Sequence, residues 1–186
     1  MNDDNVEILT IRKDSNLRFN RSLGNYVLTN KRVFHDAIII SVPSFLKLES
    51  ELFKMFGSSA PTILQIVGEA AGGESAKRVT NVDDIKEDIK TVFNGVSKWG
   101  FGRYELVDLK FEDGYIKFKL YNNPLFSRET QPVSDEQPEI KNHHFLIGFY
   151  NGYFRVLFNK MIVCNETACM NRGETFCEFE IKTLGG

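Results

Sequence analysis

Long apolar runs are missing from this chain of 186 residues. The longest, such as residues 37–40, fall far short of the roughly 20 residues that a membrane-spanning helix needs, so no membrane insertion is expected. A basic excess is missing too. With 23 Lys and Arg against 25 Asp and Glu, the formal charge is −2. Nucleic-acid binders displace counterions with surplus cations, so no nucleic-acid partner is expected. The opening Met-Asn-Asp-Asp-Asn is polar and acidic where a secretory signal needs a basic and then an apolar stretch, which sets the expected location as the cytoplasm. Cysteine is scarce and odd in number: Cys164, Cys169 and Cys177. Three thiols without an export signal argue against a disulfide framework and read more naturally as metal ligands.

Catalytic signatures are also lacking. No Ser-His-Asp or Cys-His dyad stands at a usable spacing, so no catalytic residue is assigned. The run from Gly68 to Ser75 mimics a phosphate loop, but Glu74 occupies the position that needs Lys, and the run sits inside a helical pattern instead of opening one. Gly68 and Gly72 read better as a face that lets a neighbouring backbone approach.

What the chain does have is phenylalanine, 16 residues against 6 Tyr and a single Trp. Large rigid rings either fill a core or line an apolar pocket. With 42% hydrophobic and 26% charged residues, the composition is that of a globular domain, and the length fits one.

The elements follow from periodicity. The first thirty residues alternate apolar and polar, which predicts strands or a hairpin at a sheet edge. Phe45, Leu48, Leu52 and Phe56 predict a helix over residues 43–56 stopped at Gly57. Ser58 or Ser59 is expected to cap a second helix carrying Ile63, Leu64, Val67, Ala70 and Ala71. A third is expected from Asn81 or Asp83 to Gly100. The period then switches to two, and Asp113-Gly114 predicts a hairpin joining residues 104–111 to 115–121. Residues 123–139, holding three of the five prolines, predict a long loop. A fourth helix with Ile140, Ile147, Tyr150, Phe154 and Leu157, then strands at 160–167 and 176–182, complete an α+β fold: an antiparallel sheet packed against several helices. The expected organisation is a strand region over residues 1–35 and a ligand-binding domain over 36–186, forming one compact unit.

Geometry singles out one constellation. A helix from His143 to Phe158 runs about 22 Å, and a strand from Lys160 to Glu166 returns about 20 Å. If the two pack antiparallel, Glu166 comes back to the level of His143. Cys169 and Cys177 flank the Asn171-Arg172-Gly173 turn and face each other across a hairpin. Two thiolates, one imidazole and one carboxylate form a set that Zn²⁺ accepts tetrahedrally. C-x₇-C alone leaves small core cysteines equally open. Cys164, two residues before Glu166, points to the same face of its strand and is the softer ligand.

The run Gly148-Phe149-Tyr150-Asn151-Gly152-Tyr153, then Glu166-Thr167-Ala168-Cys169, Gly173 and Cys177-Glu178-Phe179, resembles the 4-vinyl reductase domain family. That family includes archaeal stand-alone proteins and the sensory domains of bacterial phenol-responsive activators. Its fold is similar to that of small subunits of the TRAPP vesicle-tethering complex. The resemblance implies structural zinc held by Glu166, Cys169 and Cys177, with His143 standing where the family has Cys and His144 as the alternative. It implies a non-catalytic sensor of a small hydrophobic or aromatic molecule, passing its signal to a partner protein. Candidate pocket residues are Trp99, Phe118, Tyr121, Phe126, Phe149 and Tyr153. A homodimer is expected, with the Gly148 and Gly152 face reading first as close helix packing and second as a dimer contact or pocket floor. The alternatives are a TRAPP-like interaction scaffold and, less favoured, a reductase accessory protein.

Overall fold

The computed structural model describes residues 17–20, 25–30 and 33–37 as backbone, and residues 41–77, 89–90, 93, 101–124 and 143–184. By packing, the chain divides into two units, Met1–Ile39 and Ile40–Gly186. In the first, β1 (Leu17–Asn20), β2 (Asn25–Asn30) and β3 (Val33–Ala37) form an antiparallel sheet of their own. The alternating N-terminal pattern therefore builds a separate sheet and is not the edge of a larger one.

The second unit opens with α1 (Val42–Phe56). Ser41 starts it one turn before the apolar stripe: its hydroxyl accepts the Ser44 N–H at 3.3 Å, with Pro43 in the first turn. Gly57, at φ +52°, ends it and donates its N–H to the Phe53 carbonyl. The expected serine cap of the next helix is not made. A 3₁₀ turn over Gly57–Ser59 runs directly into α2 (Ala60–Ala76), so Ser59 already has helical dihedrals and its side chain makes no capping bond. The helix also continues past Ala71 through Gly72 and Gly73. Of the expected third helix, residues 89, 90 and 93 are helical; its remainder lies outside the described residues, as does most of the Pro-rich loop.

The hairpin is present as β4 (Arg103–Lys110) and β5 (Tyr115–Tyr121), its turn closed at Gly114 with φ +60°. Next come α3 (His144–Phe158), β6 (Ile162–Ala168) and β7 (Cys177–Thr183). Asn159 ends α3 in the left-handed conformation. The sheet is antiparallel in the order β4-β5-β7-β6, because β7 pairs Phe179 with Phe118 on one side and with Glu166 on the other.

One sheet face is apolar. Ile116, Phe118 and Leu120 of β5, with Cys177, Phe179 and Ile181 of β7, are wholly buried. α3 lies on this core and is covered in turn by α2. Gly68 and Gly72 meet Gly148 and Gly152 there so closely that a methyl group at any of them would lie about 2 Å from a backbone carbonyl of the other helix. Sandwiched between sheet and helix, α3 buries Leu146, Ile147, Tyr150, Tyr153 and Phe154, more than the single stripe its spacing suggested. The glycine face is the α2–α3 contact.

Candidate metal centre

The first turn of α3 meets the far end of the β6–β7 hairpin. His143 occupies the N-cap position of α3 and its carbonyl accepts the Ile147 N–H at 2.8 Å. The Glu166 carboxylate grips this residue twice, accepting its backbone N–H at 3.0 Å and contacting ring Nδ1. Beyond Glu166 the ladder shifts register, pairing Glu166 with Phe179 but Ala168 with Glu178. Such a bulge re-aims the strand end. Cys169 is extended, and the 3₁₀ turn Met170–Arg172, closed by Gly173 at φ +105°, returns the chain to Cys177. Two N–H groups, of Arg172 (3.0 Å) and Glu174 (3.3 Å), donate to the Cys169 carbonyl, and the Met170 N–H points to Cys177 Sγ at 3.4 Å.

The result is one cluster. Cys169 Sγ lies 3.8 Å from His143 Nδ1 and 3.9 Å from Nε2, and Cys177 Sγ lies 4.0 Å from Nε2. Ligand atoms of His143, Glu166, Cys169 and Cys177 all fall within 4.8 Å of one another. The cysteines are fully buried and the His143 and Glu166 side chains are each 1% exposed. A tetrahedral zinc with Zn–S near 2.3 Å and Zn–N or Zn–O near 2.1 Å has ligand-to-ligand edges of about 3.4–3.8 Å. The spacing and the donor chemistry both fit such an ion.

Electrostatics point the same way. Burial pushes the His143 imidazole down, but its bonds to Cys169 and Glu166 and the Glu166 charge outweigh this and hold it up at about 9. The Cys169 thiol is pushed up, first by its hydrogen bond with Cys177 and then by burial. Without metal the cluster is thus an imidazolium facing a carboxylate beside protonated sulfur, and a cation can displace those protons.

The two competing ligands are placed elsewhere. Cys164 does share the Glu166 face, but two residues along a strand is about 6.6 Å, and its neighbours are Tyr150 and Asn151, whose Oδ1 accepts the Cys164 N–H at 2.7 Å. His144 turns toward the other helices, with Nδ1 3.4 Å from Gln65 Nε2 and its ring 6.3 Å from that of Phe53.

The pocket candidates are dispersed. Phe118 is sealed in the core among Phe93, Tyr104, Tyr150 and Phe179. Tyr121 alternates to the opposite sheet face, beside Phe176 and under Arg103. Phe149 and Tyr153 stack on each other along α3, with rings 6.1 Å apart. Trp99 and Phe126 lie outside the described residues. An open cavity of about 410 Å³ is lined by Ile66, Glu69, Ala70, Gly73, Glu74 and Lys77 of α2, none of which is a candidate.

One residue escaped the sequence reading. Glu49 of α1 is buried at 6% exposure, although nothing in its identity suggests it. Its signal was positional: it stands four residues from both Phe45 and Phe53, on the inward stripe.

Residues 126–183 match the vinyl-4-reductase domain. The protein MJ1460 of Methanocaldococcus jannaschii is 27% identical over 158 residues, covering 84% of this chain and 88% of that protein. Among solved structures, the phenol-responsive sensory domain of the transcription activator PoxR, determined with phenol, superposes at TM-score 0.65 with 18% identity, over 90% of this chain and 85% of that one. A trafficking protein particle complex subunit 3 from Naegleria fowleri, covalently bound to palmitic acid, superposes at 0.59 with 10% identity, over 77% and 95%. At these identities the two structures establish a shared fold. The C-terminal part of the chain, residues 126–183, carries the vinyl-4-reductase domain that its Glu166, Cys169 and Cys177 spacing resembles.

Proposed function

We propose that this chain is a zinc-stapled sensory domain for a small hydrophobic or aromatic molecule, and not an enzyme. The observation that carries the reading is the buried convergence of His143, Glu166, Cys169 and Cys177. Four protein donors close a tetrahedral shell and leave no position for a reacting water, which is the arrangement of a structural zinc. The PoxR domain, whose fold this chain shares, responds to phenol, and a ring of that chemical class suits the aromatic side of α3. Phe149 and Tyr153, with Phe126 and Trp99, are the proposed ligand contacts; Phe118 and Tyr121 stand on opposite sheet faces and belong to the proposal only as the walls behind them.

Native mass spectrometry of freshly purified protein tests the reading directly. One zinc per chain, a homodimer and a retained small molecule are the expected masses. A panel of aromatic compounds should then contain one that raises the melting temperature, since occupancy at one hundred times Kd stabilises by about 2.7 kcal/mol. A metal-free spectrum from protein prepared without chelator refutes the zinc.

A second reading, an interaction scaffold, is favoured by a specific observation: Leu48, Met55, Phe56, Ile66 and Val67 of α1 and α2 expose about half or more of their surface. A scaffold predicts no thermal shift with any compound and a stoichiometric protein partner on this face.

A further inference from the structure

Glu49 is a carboxylate where packing alone would favour an apolar side chain. Phe45, Glu49 and Phe53 stand at i, i+4 and i+8 and so share one face of α1. The flanking residues show what that face meets. The Phe45 ring packs edge-on at 5.9 Å against Phe145, and the Phe53 ring lies 6.3 Å from that of His144. Glu49, midway between them, is therefore held against the first turn of α3, where His143 begins the helix. Its neighbour on α1, Glu51, behaves differently: it is exposed and binds Lys47 and Lys54. Burial pushes the Glu49 carboxyl up to about 7, and the charge on His143 pulls it back down, so the two groups sense each other.

An imidazole that binds a metal through one nitrogen carries a proton on the other, and that N–H needs an acceptor. Carboxylates commonly fill this role, fixing the tautomer and raising the basicity of the ligand. Glu166 belongs to the ligand set itself. Glu49 is the further buried acid facing the same residue.

We propose that Glu49 is a positioning residue of the metal centre, accepting the His143 ring N–H that a bound zinc leaves free and so joining α1 to the site. This rests on the zinc reading above. The test is a Co²⁺ titration of the metal-stripped full chain, following the thiolate charge-transfer and d–d bands, with Zn²⁺ affinity from competition against a chromophoric chelator. Glu49→Gln should weaken metal binding by about 10- to 100-fold and shift the d–d bands. Glu49→Met, which keeps volume without an acceptor, should do the same. In a His143→Cys background the ligand has no second N–H, and Glu49→Gln should then change neither affinity nor spectrum. Equal losses in both backgrounds, or unchanged affinity and bands in the single variant, would overturn the role. If the wild-type chain takes up no Co²⁺, the zinc reading itself fails and the inference falls with it. If it binds and the cycle shows no coupling, only Glu49 is dismissed.

Discussion

Adding one methyl group to adjacent glycines of α2 should have opposite effects. At Gly72 a Cβ would stand 2.0 Å from the Phe149 carbonyl oxygen and 2.9 Å from the Tyr153 nitrogen. At Gly73 the nearest atoms are 3.9 and 4.0 Å away, an ordinary contact. Both substitutions gain about 1 kcal/mol of helix propensity. At Gly72 this is opposed by overpacking, which costs about 1–3 kcal/mol even where side chains can yield. Here the obstacle is main chain, and reaching a contact of about 3.4 Å requires the two helices to part by about 1.4 Å. We therefore expect Gly72→Ala to lose about 2 kcal/mol or more net and Gly73→Ala to gain up to about 1 kcal/mol. For a chain of this length each kcal/mol moves Tm by about 2–4 °C. Calorimetry or urea unfolding of the two variants beside wild type decides the matter. If Gly72→Ala melts at or above wild type, the close α2–α3 approach is refuted, and with it the account of why Gly68, Gly148 and Gly152 are glycines.

Three other outcomes follow from the centre and its surroundings. Cys164→Ser should keep one zinc per chain, whereas Cys177→Ser or Glu166→Ala should lose or weaken it; elemental analysis showing Cys164 essential and Glu166 dispensable would replace the ligand set with three sulfurs and a histidine. Zinc affinity should rise with pH, because the His143 proton and the thiol protons must leave before the ion binds; a flat affinity between pH 6 and 9 would contradict the protonation described for the cluster. In the metal-free protein, Glu49→Gln should leave stability unchanged below pH 4.5 and raise it increasingly as pH climbs through 7. The native carboxyl holds its proton to about 7 against 4.5 unfolded, so wild type loses about 3 kcal/mol across that window and the amide does not. Denaturant unfolding at pH 4 and pH 8 measures both ends, and equal differences at the two would show that Glu49 is not desolvated.

Much of the C-terminal half was legible because its signals are local. The Asp113-Gly114 turn, the alternation of Ile116, Phe118 and Leu120, and the Gly57 stop each act within a few residues, and the elements form where those patterns place them. The misplaced features depend on neighbours distant in sequence. Ser59 is a good cap by composition, but the 3₁₀ turn before it supplies the helix start. Gly72 and Gly73 read as a stop, yet α2 continues because the Phe149 and Gly152 backbones lie against it and leave room for nothing larger than hydrogen at Gly72. The N-terminal alternation specifies strands without naming the sheet they join, since a period of two is the same in either.

The metal cluster was legible for a different reason: helix rise and strand rise are fixed, so the two path lengths follow from residue counts alone. The return of β6 to the level of His143 needed only those two constants. Choosing among donors was harder. By softness Cys164 outranks Glu166 for zinc, and strand alternation puts both on one face. Reach decides between them. The hairpin carrying Cys169 and Cys177 lies at the Glu166 end of β6, while Cys164 lies a strand repeat back among the core aromatics, where burial pushes its thiol up. Glu49 marks the limit of this kind of reading. Its stripe on α1 could be drawn from spacing alone, but which element that stripe faces is set by the α1–α3 contact, through Phe45 on Phe145 and Phe53 on His144. A buried acid on an apolar stripe has a desolvation cost that only a nearby positive group or N–H can offset, and the α3 start with His143 supplies that partner.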